Sequence, residues 1–223
     1  MKRKHLYDNV DLEGLHLKEI PDNIAMYACH GTYEIRNNKI TSLKNAPTFV
    51  KGNFNCSDNL LGSGTGLQYG PEEVQGNYNC DGNKLISLDG IATIKSLSFS
   101  ENRISSLDGY GFESVQFYDF FFLDNKVTSL KGSPNNVKGS YDCSLNPITS
   151  FEGGPTNINH NFYGMELKNL QSLNGFPKYI ASNVFLSMTD MLRIFPDYTK
   201  NDRNVIIQTI RDICNVGGRI SVD

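Results

Sequence analysis

NYNCDGNKLISLDG, residues 77–90, is the phrase on which the fold turns, because the chain repeats it. NFNCSDNLLGSGTG (53–66), SLSFSENRISSLDG (96–109), DFFFLDNKVTSLKG (119–132) and SYDCSLNPITSFEG (140–153) share its template. Alignment on the asparagine yields the anchors Asn38, Asn59, Asn83, Asn102, Asn125 and Asn146, with Lys168 and Thr189 standing in two weaker copies, at intervals of 19 to 24 residues. Five residues before the anchor come Tyr33, Phe54, Tyr78, Leu97, Phe120, Tyr141, Tyr163 and Val184. Three before it come Ile35, Cys56, Cys80, Phe99, Phe122, Cys143, Met165 and Leu186. A third apolar column, Ile40, Leu61, Leu85, Ile104, Val127, Ile148, Leu170 and Met191, lies two residues after it. Most copies close on a Gly, and Pro47, Pro134, Pro155 and Pro177 follow in four of them.

Apolar residues alternating with polar ones ahead of the anchor describe a short strand with one buried face. Gly and Pro at fixed offsets turn the chain back. Each copy therefore reads as one coil of a solenoid, too short to hold a crossover helix. The Asn column is expected to form a buried ladder whose amides satisfy backbone groups freed by the turns. Cys beside a large aromatic (Phe54 with Cys56, Tyr78 with Cys80, Tyr141 with Cys143) reads as volume compensation in the core. Cys56 and Cys80 are expected to stack in adjacent coils, where a disulfide or metal contact competes with the reading of buried, reduced thiols. Gly62, Gly64 and Gly66 replace the Ser-Leu turn of the other copies and read as a loosened turn, not a phosphate loop.

The spacing apolar-x-apolar-x-x-Asn-x-apolar, over roughly residues 29 to 196, resembles the core of the leucine-rich repeat. Its wording, F/Y-x-C-S-x-N-x-L-x-S-L-x-G-x-P, is most similar to the degenerate leucine-rich-repeat proteins of tailed bacteriophages and some bacteria. The resemblance implies a repeat solenoid, mainly β, with a short parallel sheet on its concave face and an irregular or 3-10 convex side. Residues 1–28 are expected to form an N-terminal cap with a degenerate coil, Leu12, Leu15, Leu17 and Ile20 pointing inward. Residues 29–196 make seven to eight coils, and 197–223 a C-terminal helical cap. In that cap Val205, Ile206, Ile210, Ile213 and Cys214 form an apolar stripe, with Asn201 or Asp202 as the helix cap and Gly217 as its stop. A partner-binding helix is the competing reading of this stripe.

Composition narrows the function. The 223 residues carry a formal charge of −3 and a pI near 5.8. Nucleic-acid and anionic-membrane binders usually carry a basic footprint that this balance lacks, so neither partner is expected. The basic start MKRK leads into no apolar signal core, and no stretch approaches the length of a membrane span. The expected location is cytoplasmic, meaning the host bacterial cytoplasm if the chain is phage-encoded. Five cysteines without CxxC pairs argue against a disulfide framework or a zinc site. His5, His16, His30 and His160 are scattered, with no nucleophile, base and acid at catalytic spacing. No catalysis, cofactor or metal is expected.

Function is therefore sought among the side chains that alternate with the buried columns and line the open sheet. The N-terminal coils offer small polar residues there, besides Arg36 and Asp81. The C-terminal coils offer Phe121, Leu123, Phe162 and Phe185 flanked by Asp119, Asp142 and Glu166. Exposed rings supply desolvated anchors and carboxylates steer a basic partner, so these residues form the expected partner-binding set. In the competing reading the C-terminal helix or an inserted loop covers Phe121, Phe162 and Phe185. The expected function is non-enzymatic protein binding. With the phage resemblance, it becomes an accessory protein that occludes a host bacterial factor or defence protein. A structural or assembly component of a virion, or an adhesin-like binding protein, is the alternative. Oligomeric state is left open.

Overall fold

The computed structural model describes residues 4–6, by their backbone, and 8–223. The protein is a parallel β-solenoid of stacked coils, mainly β, divided into two compact units, Met1–Ile104 and Ser105–Asp223. In the N-terminal unit, Val10–Asp11, Tyr33–Glu34, Phe54–Asn55, Asn77–Asn79 and Ser96–Ser98 pair successively and in parallel. A second ladder joins Lys4–Leu6, Met26–Cys29, Phe49–Val50 and Glu73–Val74. The C-terminal unit repeats the plan with Phe120–Phe121, Tyr141–Asp142, Phe162–Gly164, Val184–Leu186 and Ile220–Val222. Its second ladder joins Asn136–Val137, Asn157–Ile158, Tyr179–Ile180 and Asn215–Val216.

A tight corner separates the two strands of each coil, and it explains a glycine column just ahead of the main strand. A Cβ on Gly52 would stand 2.7 Å from the backbone of Gly31, and one on Gly76 2.5 Å from the Asn53 carboxamide. At these two corners a side chain would collide with the preceding corner, so glycine is required there. The glycines at 62 and 64 have the same cause, since a Cβ there would overlap the carbonyl oxygens of Lys84 and Thr41. That turn is tightened, not loosened as the sequence reading expects. It forms a short 3-10 segment, Leu61–Ser63.

The asparagine ladder is present, and it accounts for the periodicity. Asn83 donates from Nδ2 to the carbonyls of Cys56, Cys80 and Asp81, and its Oδ1 accepts from Leu61 N. Asn102 bonds Cys80, Phe99 and Ser100 in the same way and accepts from Leu85 N at 2.8 Å. Asn38, Asn59 and Asn146 repeat the pattern. A turn inside a packed stack strands backbone groups away from water, and one carboxamide satisfies both signs.

Between the rungs lies an aromatic and aliphatic core. Tyr33 stacks on Phe54 at 5.9 Å, and Tyr141 on Phe162 at 6.1 Å. The residue before the closing proline adjusts to each ring. Ala46 and Gly70 precede Phe54 and Tyr78 by eight positions, and Ser133 likewise precedes Tyr141, whose hydroxyl it meets at 2.8 Å. Where the strand residue shrinks to Val184, the turn residue grows to Phe176. Constant core volume drives both exchanges.

Three terminal features depart from the sequence reading. Residues 10–20 already make a coil that pairs with Tyr33–Glu34, but Leu15 points outward, 57% exposed. The remainder of the expected N-terminal cap includes residues 1–3 and 7, outside the described residues. At the other end the solenoid does not stop at 196, because Asn215–Val216 and Ile220–Val222 add a further coil. Gly217 sits at the corner of that coil and not at a helix stop; a Cβ there would overlap the Ala181 carbonyl oxygen. Helix α1 (Met188–Ile194) and helix α2 (Arg203–Ile213) are inserted before it. The turn into α2 is capped by Thr199, whose hydroxyl accepts from Asn201 N, while Asp202 accepts from Thr199 N at 2.7 Å. Bonds donated by the Thr199 N–H and then the Thr199 hydroxyl hold the Asp202 carboxyl below its usual range.

Candidate functional site

The strand pairs place side chains of successive coils in rows on the open face. In the C-terminal unit the central row runs Phe121, Asp142, Tyr163, Phe185, Ser221. Phe121, Tyr163 and Phe185 are each half-buried, so none of the three is fully covered. Tyr163 and Phe185 stack with centroids 4.8 Å apart and planes 5° from parallel. Asn161 Nδ2 donates to the Tyr163 hydroxyl at 3.1 Å, which pins the ring along the face. Leu123 and Met165 extend the apolar surface beside this row, Met165 being 36% exposed.

Phe162, placed on this face by the sequence reading, lies instead in the core with no exposure, paired with Tyr141 and Val184. The physical reason is one additional residue between strand and turn. Tyr141 leads Ile148 by seven positions, whereas Phe162 leads Leu170 by eight. A one-residue slip exchanges the faces of a strand. Tyr163 and Met165 therefore turn outward, and Phe162 and Gly164 turn inward. Gly164 stands where Tyr141 has Cys143, and a Cβ on it would come within 2.8 Å of the Phe162 ring. The aromatic beside a small residue persists, with glycine replacing cysteine.

Neither this coil nor the next carries an asparagine at its anchor, and Leu167 is met by two helix residues of the next coil. Asp190 Oδ2 accepts from Leu167 N at 2.7 Å, while Arg193 Nη1 donates to Leu167 O and to Asp190 Oδ1, both at 3.1 Å. Acid and guanidinium supply separately the acceptor and donor that one carboxamide combines.

The remaining expected residues divide by role. Asp142 faces the row between two rings, accepts from Ser144 N, and has its carboxyl raised by burial against the opposing pull of that serine. Asp119 accepts from Ser140 N at 2.8 Å on the neighbouring row. Glu166 is exposed in a left-handed turn at φ 53° beyond the strand, beside the face and not on it. In the N-terminal unit Asp81 is occupied by Ser98 Oγ and Ser100 N at 2.7 and 2.6 Å, a link between coils. Burial raises its carboxyl and those two bonds lower it in part. Arg36 pairs with Glu13 at 2.7 Å on the surface.

All five cysteines are free and buried. Cys56, Cys80 and Cys143 each point their thiol at a strand carbonyl of the following coil, at 3.4 to 3.5 Å. Burial pushes all three well above the ordinary thiol range. Among the described residues no group of three or more potential ligands could hold a metal ion, and no helix is long and apolar enough to cross a membrane.

No family model, no curated protein and no solved structure matches the chain.

Proposed function

We propose that this protein is a non-enzymatic binding module that captures a protein partner on the open face of its C-terminal unit. The row Phe121, Asp142, Tyr163, Phe185 carries this reading: three half-buried rings on a rigid sheet, with a carboxylate between two of them. Rings held by stacking and by Asn161 lose little freedom on binding, which favours affinity. Asp119 and Asp142 favour a partner with a basic segment, whose cation would lie against both rings and carboxylate. The leucine-rich-repeat-like wording of the motif extends the reading to a phage-type accessory protein acting in the bacterial cytoplasm. Its target would be a host bacterial protein, blocked by occlusion.

Affinity capture from bacterial lysate tests this, comparing wild type with Tyr163→Asp/Phe185→Asp, whose substitutions lie outside the core. Loss of a captured protein by the double variant, with an unchanged thermal melt, is the expected result. An identical captured set from both proteins would remove this face from consideration.

A further inference from the structure

The corners of the C-terminal unit are linked by a repeating pair of backbone hydrogen bonds. Ala181 N donates to Ile158 O and Ser182 N to His160 O; one coil later, Gly217 N donates to Ile180 O and Gly218 N to Ser182 O. By that pattern the carbonyls of Val216 and Gly218 are the acceptors to which a following coil would bond. Among the described residues no backbone N–H donates to either of them. Arg211, in the last turn of α2, fills both places: Nη1 donates to Val216 O and Nη2 to Gly218 O, each at 3.1 Å. A planar guanidinium carries donors in a fixed fork, so one side chain reproduces the two N–H groups of the missing corner. Ile206, Ile210 and Cys214 are buried, α2 packs on the terminal strands, and Arg203 reaches Asp223 at 3.6 Å. The helix thus precedes the terminal strands in sequence yet closes the edge they form.

We propose that Arg211 is an edge plug that keeps the protein monomeric by occupying the acceptors through which a second copy of this chain would add its own edge. An unpaired strand edge is a template for association, and natural proteins block it with charge or a covering element. The occupant of a vacated edge is a second copy because identical edges can meet about a two-fold axis and satisfy one another.

Light scattering across a concentration series tests the proposal on the full chain. Wild type should remain at the mass of one chain, whereas Arg211→Ala should rise with concentration toward about twice that mass. Arg211→Lys, with a single ammonium in place of the fork, should fall between them. Ile40→Val, a core lesion in the N-terminal unit that leaves the plug intact, should stay at one chain and so separates edge pairing from aggregation of unfolded protein. If Arg211→Ala stays at one chain, or associates no more than wild type or Ile40→Val, the proposal is overturned. Should Arg211→Ala fail to melt cooperatively, Arg211→Lys decides, and a mass indistinguishable from wild type overturns it.

Discussion

Two rows of side chains occupy corresponding places on the same kind of strand and differ in chemistry. In the N-terminal unit the row is Asp11, Glu34, Asn55, Asn79, Ser98. In the C-terminal unit it is Phe121, Asp142, Tyr163, Phe185, Ser221. Behind both rows the core columns are alike, with Tyr33, Phe54 and Tyr78 matching Phe120, Tyr141 and Phe162. The buried side of each strand is constrained by coil stacking and core volume, whereas the open side is free to vary. In the first row Asp11, Asn55 and Asn79 accept from backbone N–H groups two residues on in their own coils, and Ser98 donates to Asp81 of the preceding coil; rings in the second are left partly to solvent. That difference is the reason the proposed binding face is sought on the C-terminal unit.

The comparison breaks most severely at the core. Phe162→Ala should cost about 4 kcal/mol in chemical denaturation, the usual loss for a fully buried ring, while Tyr163→Ala beside it should cost under about 1 kcal/mol. Equal losses would mean that the register assigned to this coil is wrong. Next comes the ladder: Asn83→Ala strands several buried backbone groups and should cost about 3 kcal/mol, whereas Asn79→Ala on the open face should fall within about 0.5 kcal/mol of wild type.

The open rows separate the units by binding. Phe121→Asp should weaken partner capture by about a hundredfold, the scale of a lost aromatic anchor, and Asn55→Asp at the corresponding place should leave capture unchanged. A smaller effect concerns Asp142. Its folded carboxyl titrates above its unfolded value, so ionisation disfavours the native state, and stability falls as pH rises from the unfolded value through the folded one. Asp142→Asn, which keeps an acceptor for Ser144 N, should therefore melt higher than wild type at pH 7, with the gap closing as pH falls toward the unfolded carboxyl range. Least of all should happen to the thiols. Cys56, Cys80 and Cys143 are buried and raised, and Cys214 is pushed up to about 11, so mass spectrometry after alkylation of native protein at neutral pH should find these four unmodified.

Legibility in the sequence followed the strength of each rung. From Asn38 to Asn146 every coil carries its asparagine, and the buried columns there match the strands and their registers. At the next coil the asparagine is gone, and adjacent aromatics, Phe162 and Tyr163, satisfy either register. Local pattern could not choose between them. Gly164 was the available signal, a small residue next to the inward ring, as Cys143 is to Tyr141. The rung made by Asp190 and Arg193 had no sequence signature, because residues three apart on a helix become one hydrogen-bonding group only when packed under Leu167. Arg211 was equally silent, its role arising from a corner five to seven residues further on.

By itself the sequence determined that the chain coils with parallel strands, that an asparagine ladder runs through it, and that aromatics alternate with small residues inside. Those features repeat, and repetition lets weak local preferences add into one register. Tertiary structure alone decided which ring of an adjacent pair is buried, how a rung is rebuilt without asparagine, and where the terminal coil lies relative to the inserted helix. Each depends on groups distant in sequence competing for one volume or one hydrogen-bonding site, and that competition is resolved only when the coils are stacked.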